Sequence, residues 1–201
     1  MRCLSSVFAP AMKEEAADNK TIEVGLFVTC LVDLIRPYVG FAAVRLLEAA
    51  GCSVAVPEMQ SCCGQPAYNN GDDSNTLGIA RQVIEVFENF DYVVAPSGSC
   101  AGMLREHYKR LLATALTWVN RAHRLDQRTY ELTQFLVDVT GLQITDTHYD
   151  GLCTYHDSCA GLRELGIKKQ PRRLLSNIAG LELVEMKDTE ICCGFGGTFS
   201  V

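Results

Sequence analysis

No apolar run in this 201-residue sequence approaches the roughly 18–20 residues that a membrane-spanning helix requires, so no membrane span is expected. Positive charge is also in short supply. Lys and Arg number 18 against 24 Asp and Glu, a net charge of −6. That balance argues weakly against nucleic acid or an anionic membrane surface as a partner. The first 20 residues lack a continuous apolar stretch, because Ser5, Ser6 and Pro10 interrupt it, and they make a poor export signal. They read as a disordered leader, and a cytoplasmic location is expected. A full dinucleotide-binding glycine fingerprint is missing as well. Gly194-Phe195-Gly196-Gly197 lacks its spacing, and the cysteines before it account better for its glycines.

What the sequence has in abundance is cysteine, ten in all: Cys3, Cys30, Cys52, Cys62, Cys63, Cys100, Cys153, Cys159, Cys192 and Cys193. The apolar fraction of 48% and charged fraction of 21% are those of an ordinary globular chain, long enough to bury a core. Such a chain does not need disulfide staples. In a reducing compartment, clustered thiols point instead to metal or redox chemistry.

The hydrophobic pattern alternates between short β-prone runs and helical periodicity. Strands are expected at residues 22–29, 53–56, 92–95, 151–155 and 181–185. Helices are expected at 39–50 (stopped by Gly51), 72–90, 98–112, 128–139 (stopped by Gly141) and 171–178. This order implies an α/β fold with mostly parallel sheets flanked by helices. The pattern then repeats. The first copy runs from Thr29-Cys30 through a helix to a strand and Cys62-Cys63-Gly64. The second runs from Ser158-Cys159 through a helix to a strand and Cys192-Cys193-Gly194. The intervals match, with 31 residues between Cys30 and Cys62 and 32 between Cys159 and Cys192. Two pseudo-symmetric Cys-Cys-Gly repeats are therefore expected, at residues 21–145 and 146–201. The first copy continues to a strand and Cys100. The second is expected to lack those C-terminal elements.

Cys30, Cys62, Cys63 and Cys100 each follow a predicted strand. In a parallel sheet the carboxyl ends of the strands share one edge, so these thiols are expected to converge there. Four converging thiolates suit zinc or an iron–sulfur cluster. Structural zinc sites usually use a Cys-x-x-Cys knuckle. An adjacent pair, with side chains that diverge, more readily reaches different irons of a multinuclear core. Gly64 and Gly194 supply backbone freedom near a bulky inorganic group, and backbone N–H groups there can donate to sulfur. The bland alternatives are buried thiols or a strained vicinal disulfide. Cys3, Cys52 and Cys153 read as small incidental thiols. His156 is compatible with a ligand, a proton relay, an outer-sphere group or a structural histidine. Asp157 reads as a cap for the helix after Cys159. Arg121, His123, Arg124 and Arg128 read as a solvated basic face.

The doubled Cys…Cys-Cys-Gly…Cys order resembles the cysteine-rich (CCG) domain found in the cysteine-rich component of heterodisulfide reductase, the iron–sulfur subunit of glycolate oxidase and the lactate utilization protein A family. FVTCLVDLIRP, SCCGQPAYNNG, VVAPSGSC, RTYELTQFLVDV, TYHDSC and CCGFGGTFSV are similar, nearly verbatim, to segments of the last family. The similarity runs from residue 22 to 201. It implies an iron–sulfur protein, most simply carrying [4Fe–4S], that serves L-lactate oxidation to pyruvate alongside partner iron–sulfur and accessory proteins encoded with it. By the same resemblance, Cys30, Cys62, Cys63 and Cys100 hold one cluster, and Cys159, Cys192 and Cys193 a second. Heterodisulfide reductase has Cys-x-x-Cys at the third element. Here the first of that pair is Ser97, which leaves four thiolates for the first cluster and three for the second. Such clusters are readily lost in air. Thiol–disulfide chemistry like that of heterodisulfide reductase, a glycolate-oxidase-type iron–sulfur role and a zinc scaffold remain the alternatives.

Overall fold

The structure is a computed structural model that describes residues 21–145 and 147–194. The expected leader, Cys3 and residues 195–201 of the glycine-rich tail lie outside them. The first half is built on four parallel strands, β1 (Glu23–Leu26), β2 (Ser53–Ala55), β3 (Tyr92–Ala95) and β4 (Thr129–Glu131). Their order across the sheet is β2-β1-β3-β4. Val24 lies opposite Val54 and Tyr92, and Val93 lies opposite Thr129. Connections leave β1 toward β2 on one side, and β3 takes the other. The sheet therefore reverses its winding between β1 and β3, where α/β folds open a crevice at their carboxyl edge.

The helices are α1 (Cys30–Ile35), α2 (Pro37–Ala49), α3 (Gln65–Asn69), α4 (Asp73–Phe87), α5 (Gly98–Gly102), α6 (Tyr108–Leu111), α7 (Leu116–Asp126) and α8 (Leu132–Gln134). A π-helical turn, Met103–His107, joins α5 to α6, and another, Phe135–Val139, continues α8. Alternation along the strands feeds two cores. Val24, Leu26 and Val94 pack on one face with Ala43, Leu47, Phe135 and Leu136. Val93 and Ala95 pack on the other with Val83, Ile84, Phe87, Met103, Leu104 and Tyr108. Each such large apolar side chain, fully withdrawn from water, contributes about 1.5–3 kcal/mol. Gly25 sits on the second face, where an added Cβ would come 2.7 Å from the Phe90 ring, so only glycine admits that close helix-to-sheet packing.

The second half carries two parallel strands, β5 (His148–Cys153) and β6 (Ala179–Leu183), with α9 (Cys159–Arg163) and α10 (Lys169–Ser176). The α/β class, the parallel pairing and the helical flanks agree with the sequence pattern. Two expectations need correction. Residues 128–139 are not one helix, because Thr129–Glu131 forms β4 beside β3. Pairing with an existing strand, together with burial of Thr129, outweighs the helical periodicity that begins just after it. Residues 98–112 bend through the π-turn rather than forming a regular α-helix. Helices α1, α3 and α7 have no counterpart in the expected set. The supposed solvated face of Arg121, His123 and Arg124 belongs to α7, where Arg121 pairs with Glu88 at 2.8 Å and lies over Trp118.

Candidate functional site

The loops after the strands bring the predicted thiols to one rim. Thr29 caps α1, its hydroxyl accepting from the Val32 N–H at 3.3 Å, and this sets Cys30 as the first helical residue. Ser97 caps α5 in the same way, accepting from the Cys100 N–H at 3.4 Å. Ser97, which stands where the resemblance puts an additional cysteine, is therefore the residue that orients Cys100. Between them the Cys62-Cys63-Gly64 turn closes through Gly64, whose φ of 82° is left-handed. The Gly64 N–H points at Cys62 Sγ, 3.4 Å away.

The four thiols form a chain of contacts, from Cys30 to Cys62, Cys62 to Cys63 and Cys63 to Cys100. Cys30 Sγ donates to Cys62 Sγ at 3.8 Å, and Cys63 Sγ donates to Cys100 Sγ at 3.5 Å. Both acceptors, Cys62 and Cys100, are lowered below the usual thiol value. A hydrogen bond from the Cys63 thiol, helped by the Gly64 N–H and Cys30, holds Cys62 down at about 5. The Cys63 thiol likewise lowers Cys100, with help from Ser97. Burial, and then the neighbouring Cys62, push Cys30 up to about 11. Hydrogen bonds to Cys100 and Cys62, together with burial, raise Cys63 well above the usual thiol value.

Two residues of this site were not read from the sequence. Tyr108 is fully buried, and its hydroxyl donates to the Cys63 carbonyl at 2.9 Å, fixing the peptide between the adjacent cysteines and Gly64. Glu131, the last residue of β4, has one carboxylate oxygen that accepts from Thr133 N, Thr133 Oγ1 and Gln134 N at 2.8, 2.6 and 3.1 Å. Burial raises its pKa despite those bonds. In sequence, Tyr108 looks like any aromatic on a helix. The strand-then-Glu-x-Thr pattern of residues 129–133 was the available signal for Glu131.

The second half repeats the local geometry. Ser158 caps α9, accepting from the Gly161 N–H at 3.2 Å, so Cys159 occupies the position that Cys30 holds in α1. Gly194 has φ 80°, and its N–H points at Cys192 Sγ at 3.4 Å. That N–H, followed by the Cys159 thiol, lowers the Cys192 pKa, while the same thiol contact raises Cys159. His156 donates from Nε2 to the Ile191 carbonyl at 2.8 Å, and the Asp157 N–H bonds the Thr189 carbonyl at 3.0 Å. Together they strap the Cys192-Cys193 loop to the start of α9. Asp157 does not cap that helix. Its fully buried carboxylate instead takes a forked ion pair from Arg172 at 2.7 and 2.9 Å, and Arg172 also reaches Glu185. Ser158, one residue on, has the extended backbone that a cap requires.

The halves meet through glycine. An added Cβ on Gly98 would lie 2.9 Å from the Gly161 backbone nitrogen, so α5 and α9 approach at their cysteine-bearing ends. The result is a shared cavity of about 780 Å³, whose lining includes Cys30, Cys62, Cys63, Cys100, Cys159 and Cys193, with Ser97, Glu131, Tyr155, His156 and Arg163. Cys192 contacts Cys159 beside the cavity. Cys52 is buried under the sheet, and Cys153 ends β5; neither lines the cavity. Among the described residues no three His, Cys, Asp or Glu side chains converge as a single-ion site. No helix among the described residues is long and apolar enough to cross a membrane.

Comparison with known proteins gives this arrangement a family. The model of the CCG cysteine-rich domain matches residues 24–105 and 153–201. Lactate utilization protein A of Geobacillus kaustophilus (strain HTA426) is 51% identical over 180 residues, covering 90% of this chain and 75% of that protein. The protein of the same name from Geobacillus sp. (strain WCH70) is 49% identical over the same shares, and that of Bacillus subtilis (strain 168) is 47% identical. The chain belongs to the lactate utilization protein A family and carries its cysteine-rich domain in two segments.

Proposed function

We propose that this protein is an iron–sulfur electron-transfer subunit of a system that oxidises L-lactate to pyruvate, working with partner iron–sulfur and accessory proteins in the cytoplasm. One observation carries the reading: thiols drawn from five separate segments face one cavity at the sheet's carboxyl edge, in a chain of this family. The donor set fits such a group. It is soft and all-thiol, with Cys62 and Cys100 lowered below the usual thiol value, and backbone N–H groups of Gly64 and Gly194 are already directed at sulfur. Cys30, Cys62, Cys63 and Cys100 would hold the first cluster, and Cys159, Cys192 and Cys193 would bind at the second position. A cluster of the [4Fe–4S] kind supplies a one-electron carrier when bound. The remaining residues hold the thiols in place: Thr29, Ser97 and Ser158 as caps, Tyr108 on the Cys63 carbonyl, His156 on the Cys192-Cys193 loop, and the apolar floor keeping water from the buried Cys63–Cys100 pair.

Anaerobic purification followed by iron and sulfide analysis and EPR tests the reading. A brown protein whose iron falls on Cys30→Ser or Cys100→Ser, but not on Cys52→Ala, is expected. A colourless protein holding stoichiometric zinc would instead establish a scaffold. Deletion of the gene without loss of lactate oxidation would refute the metabolic role. A second reading, thiol–disulfide turnover, is favoured by the depressed Cys62 beside Cys30. It requires that disulfide turnover be abolished when Cys62, Cys63, Cys192 and Cys193 are all changed to Ser.

A further inference from the structure

Four thiols can close two disulfides in three ways. We propose that peroxide drives the metal-free first site into one of these alone, Cys30–Cys62 with Cys63–Cys100, and that this oxidised form is a reversible protected state of the site. The pairing follows from the sulfur positions. The hydrogen-bonded contacts are 3.8 Å for Cys30–Cys62 and 3.5 Å for Cys63–Cys100, so each bond joins sulfurs that already touch. The rival Cys62–Cys63 bond, with Cys30–Cys100, is opposed by geometry. Adjacent Cα atoms lie about 3.8 Å apart across a trans peptide, below the roughly 4.4 Å at which unstrained disulfides begin. The third pairing requires Cys62 and Cys63 to exchange partners across a turn that Tyr108 holds by the Cys63 carbonyl.

The chemistry balances with a hydroperoxide as oxidant. One sulfur of a pair attacks the peroxide oxygen, the O–O bond breaks, and a sulfenic acid forms as the alcohol, or water, leaves with the thiol proton. The second sulfur then displaces the sulfenic oxygen as water, and the S–S bond forms. Each pair loses two electrons and two hydrogens and consumes one peroxide. All four thiols line the 780 Å³ cavity, which gives a small peroxide access. Cys30 and Cys62 are partly exposed, whereas Cys63 and Cys100 are 3% and 8% exposed, so the Cys30–Cys62 bond forms first. A ready partner for each sulfenic acid diverts it from irreversible sulfinic acid. A thiol reductant then restores the four metal-binding groups.

The test uses the full chain, stripped of metal and reduced, then treated with graded hydrogen peroxide, quenched by alkylation and mapped by mass spectrometry. Expected first is the Cys30–Cys62 crosslinked peptide, then Cys63–Cys100, with all four thiols recovered by dithiothreitol. In Cys30→Ser, Cys62 should proceed to sulfinic acid while Cys63–Cys100 still closes. Crosslinks of Cys62–Cys63 or Cys30–Cys100, free reshuffling in the Ser variant, or sulfinic acids without disulfides in the unchanged chain would each overturn the proposal. The measurement reads thiols in metal-free protein, so its failure leaves the iron–sulfur reading standing, and failure of that reading leaves this one intact.

Discussion

Replacing Tyr108 by Phe removes one oxygen atom from the molecule and should loosen the adjacent-cysteine turn. The ring lies wholly inside the core with Met103, Leu104 and Phe87, and Phe preserves that packing. What is lost is the hydroxyl that donates to the Cys63 carbonyl at 2.9 Å. Cys63 is itself only 3% exposed, so no bulk water replaces the donor. A hydrogen bond exchanged for water is worth about 0.5–1.5 kcal/mol, but a buried acceptor left bare costs about 1–3 kcal/mol, and the second figure applies here. With a urea m-value of about 2 kcal/mol/M, the midpoint should fall by about 0.5–1.5 M at unchanged m. Burial and the nearby thiols hold the phenol well above its ordinary pKa, so it stays protonated and the deficit should be constant across neutral pH. The specific readout is thiol chemistry. In metal-free Tyr108→Phe, alkylation of Cys63 should accelerate while that of Cys52, buried elsewhere, should not. An unshifted midpoint together with unchanged Cys63 alkylation would refute the view that this hydroxyl fixes the turn.

Four further outcomes follow from the geometry. In metal-free protein, alkylation of Cys62 should be half-maximal near pH 5, because the thiolate is the reacting form above that pKa, whereas Cys30 should resist until about pH 11; quantitative mass spectrometry across pH checks both. Arg172→Ala strands the fully buried Asp157 carboxylate and should cost about 3–5 kcal/mol in the second half, seen as lost hydrogen-exchange protection around α9 and β6. Asp157 has a folded-state pKa below its ordinary 3.8, so its stabilisation is complete above that value and is lost as pH falls through the folded value; Asp157→Asn should flatten acid unfolding in that window. Gly64→Ala forces a Cβ into left-handed backbone at about 1–2 kcal/mol and within 3.3 Å of Ile79, whereas Gly194→Ala meets no atom of the described residues within 4 Å and should cost only the backbone part, a difference that denaturation midpoints will show.

Much of this was legible in the residues because local rules carry it. The β-prone runs near residues 22–29 and 92–95 became β1 and β3 because short apolar segments between turn signals have few other ways to bury themselves. The matched cysteine intervals foretold matched geometry. Thr29 and Ser158 cap equivalent helices, and Gly64 and Gly194 turn with φ near 80°. Where local pattern and structure part, a distant partner decided. Residues 129–131 follow β3 rather than their own periodicity, and Asp157 is taken by Arg172, 15 residues later, instead of by the adjacent helix.

The alternation of strands and helices, the doubling of the Cys-Cys-Gly turn and the choice of sulfur as the chemistry are written in the chain, since they depend on side-chain type and spacing within about one supersecondary unit. Which thiol meets which is settled by long-range packing. Pairing Cys30 with Cys62 and Cys63 with Cys100, setting Tyr108 under the turn, and opening both halves onto one cavity all depend on sheet order and on helices α5 and α9 touching at Gly98 and Gly161. Those contacts join residues 32 to more than 60 positions apart, separations at which chain spacing carries no directional information and packing alone fixes the distance.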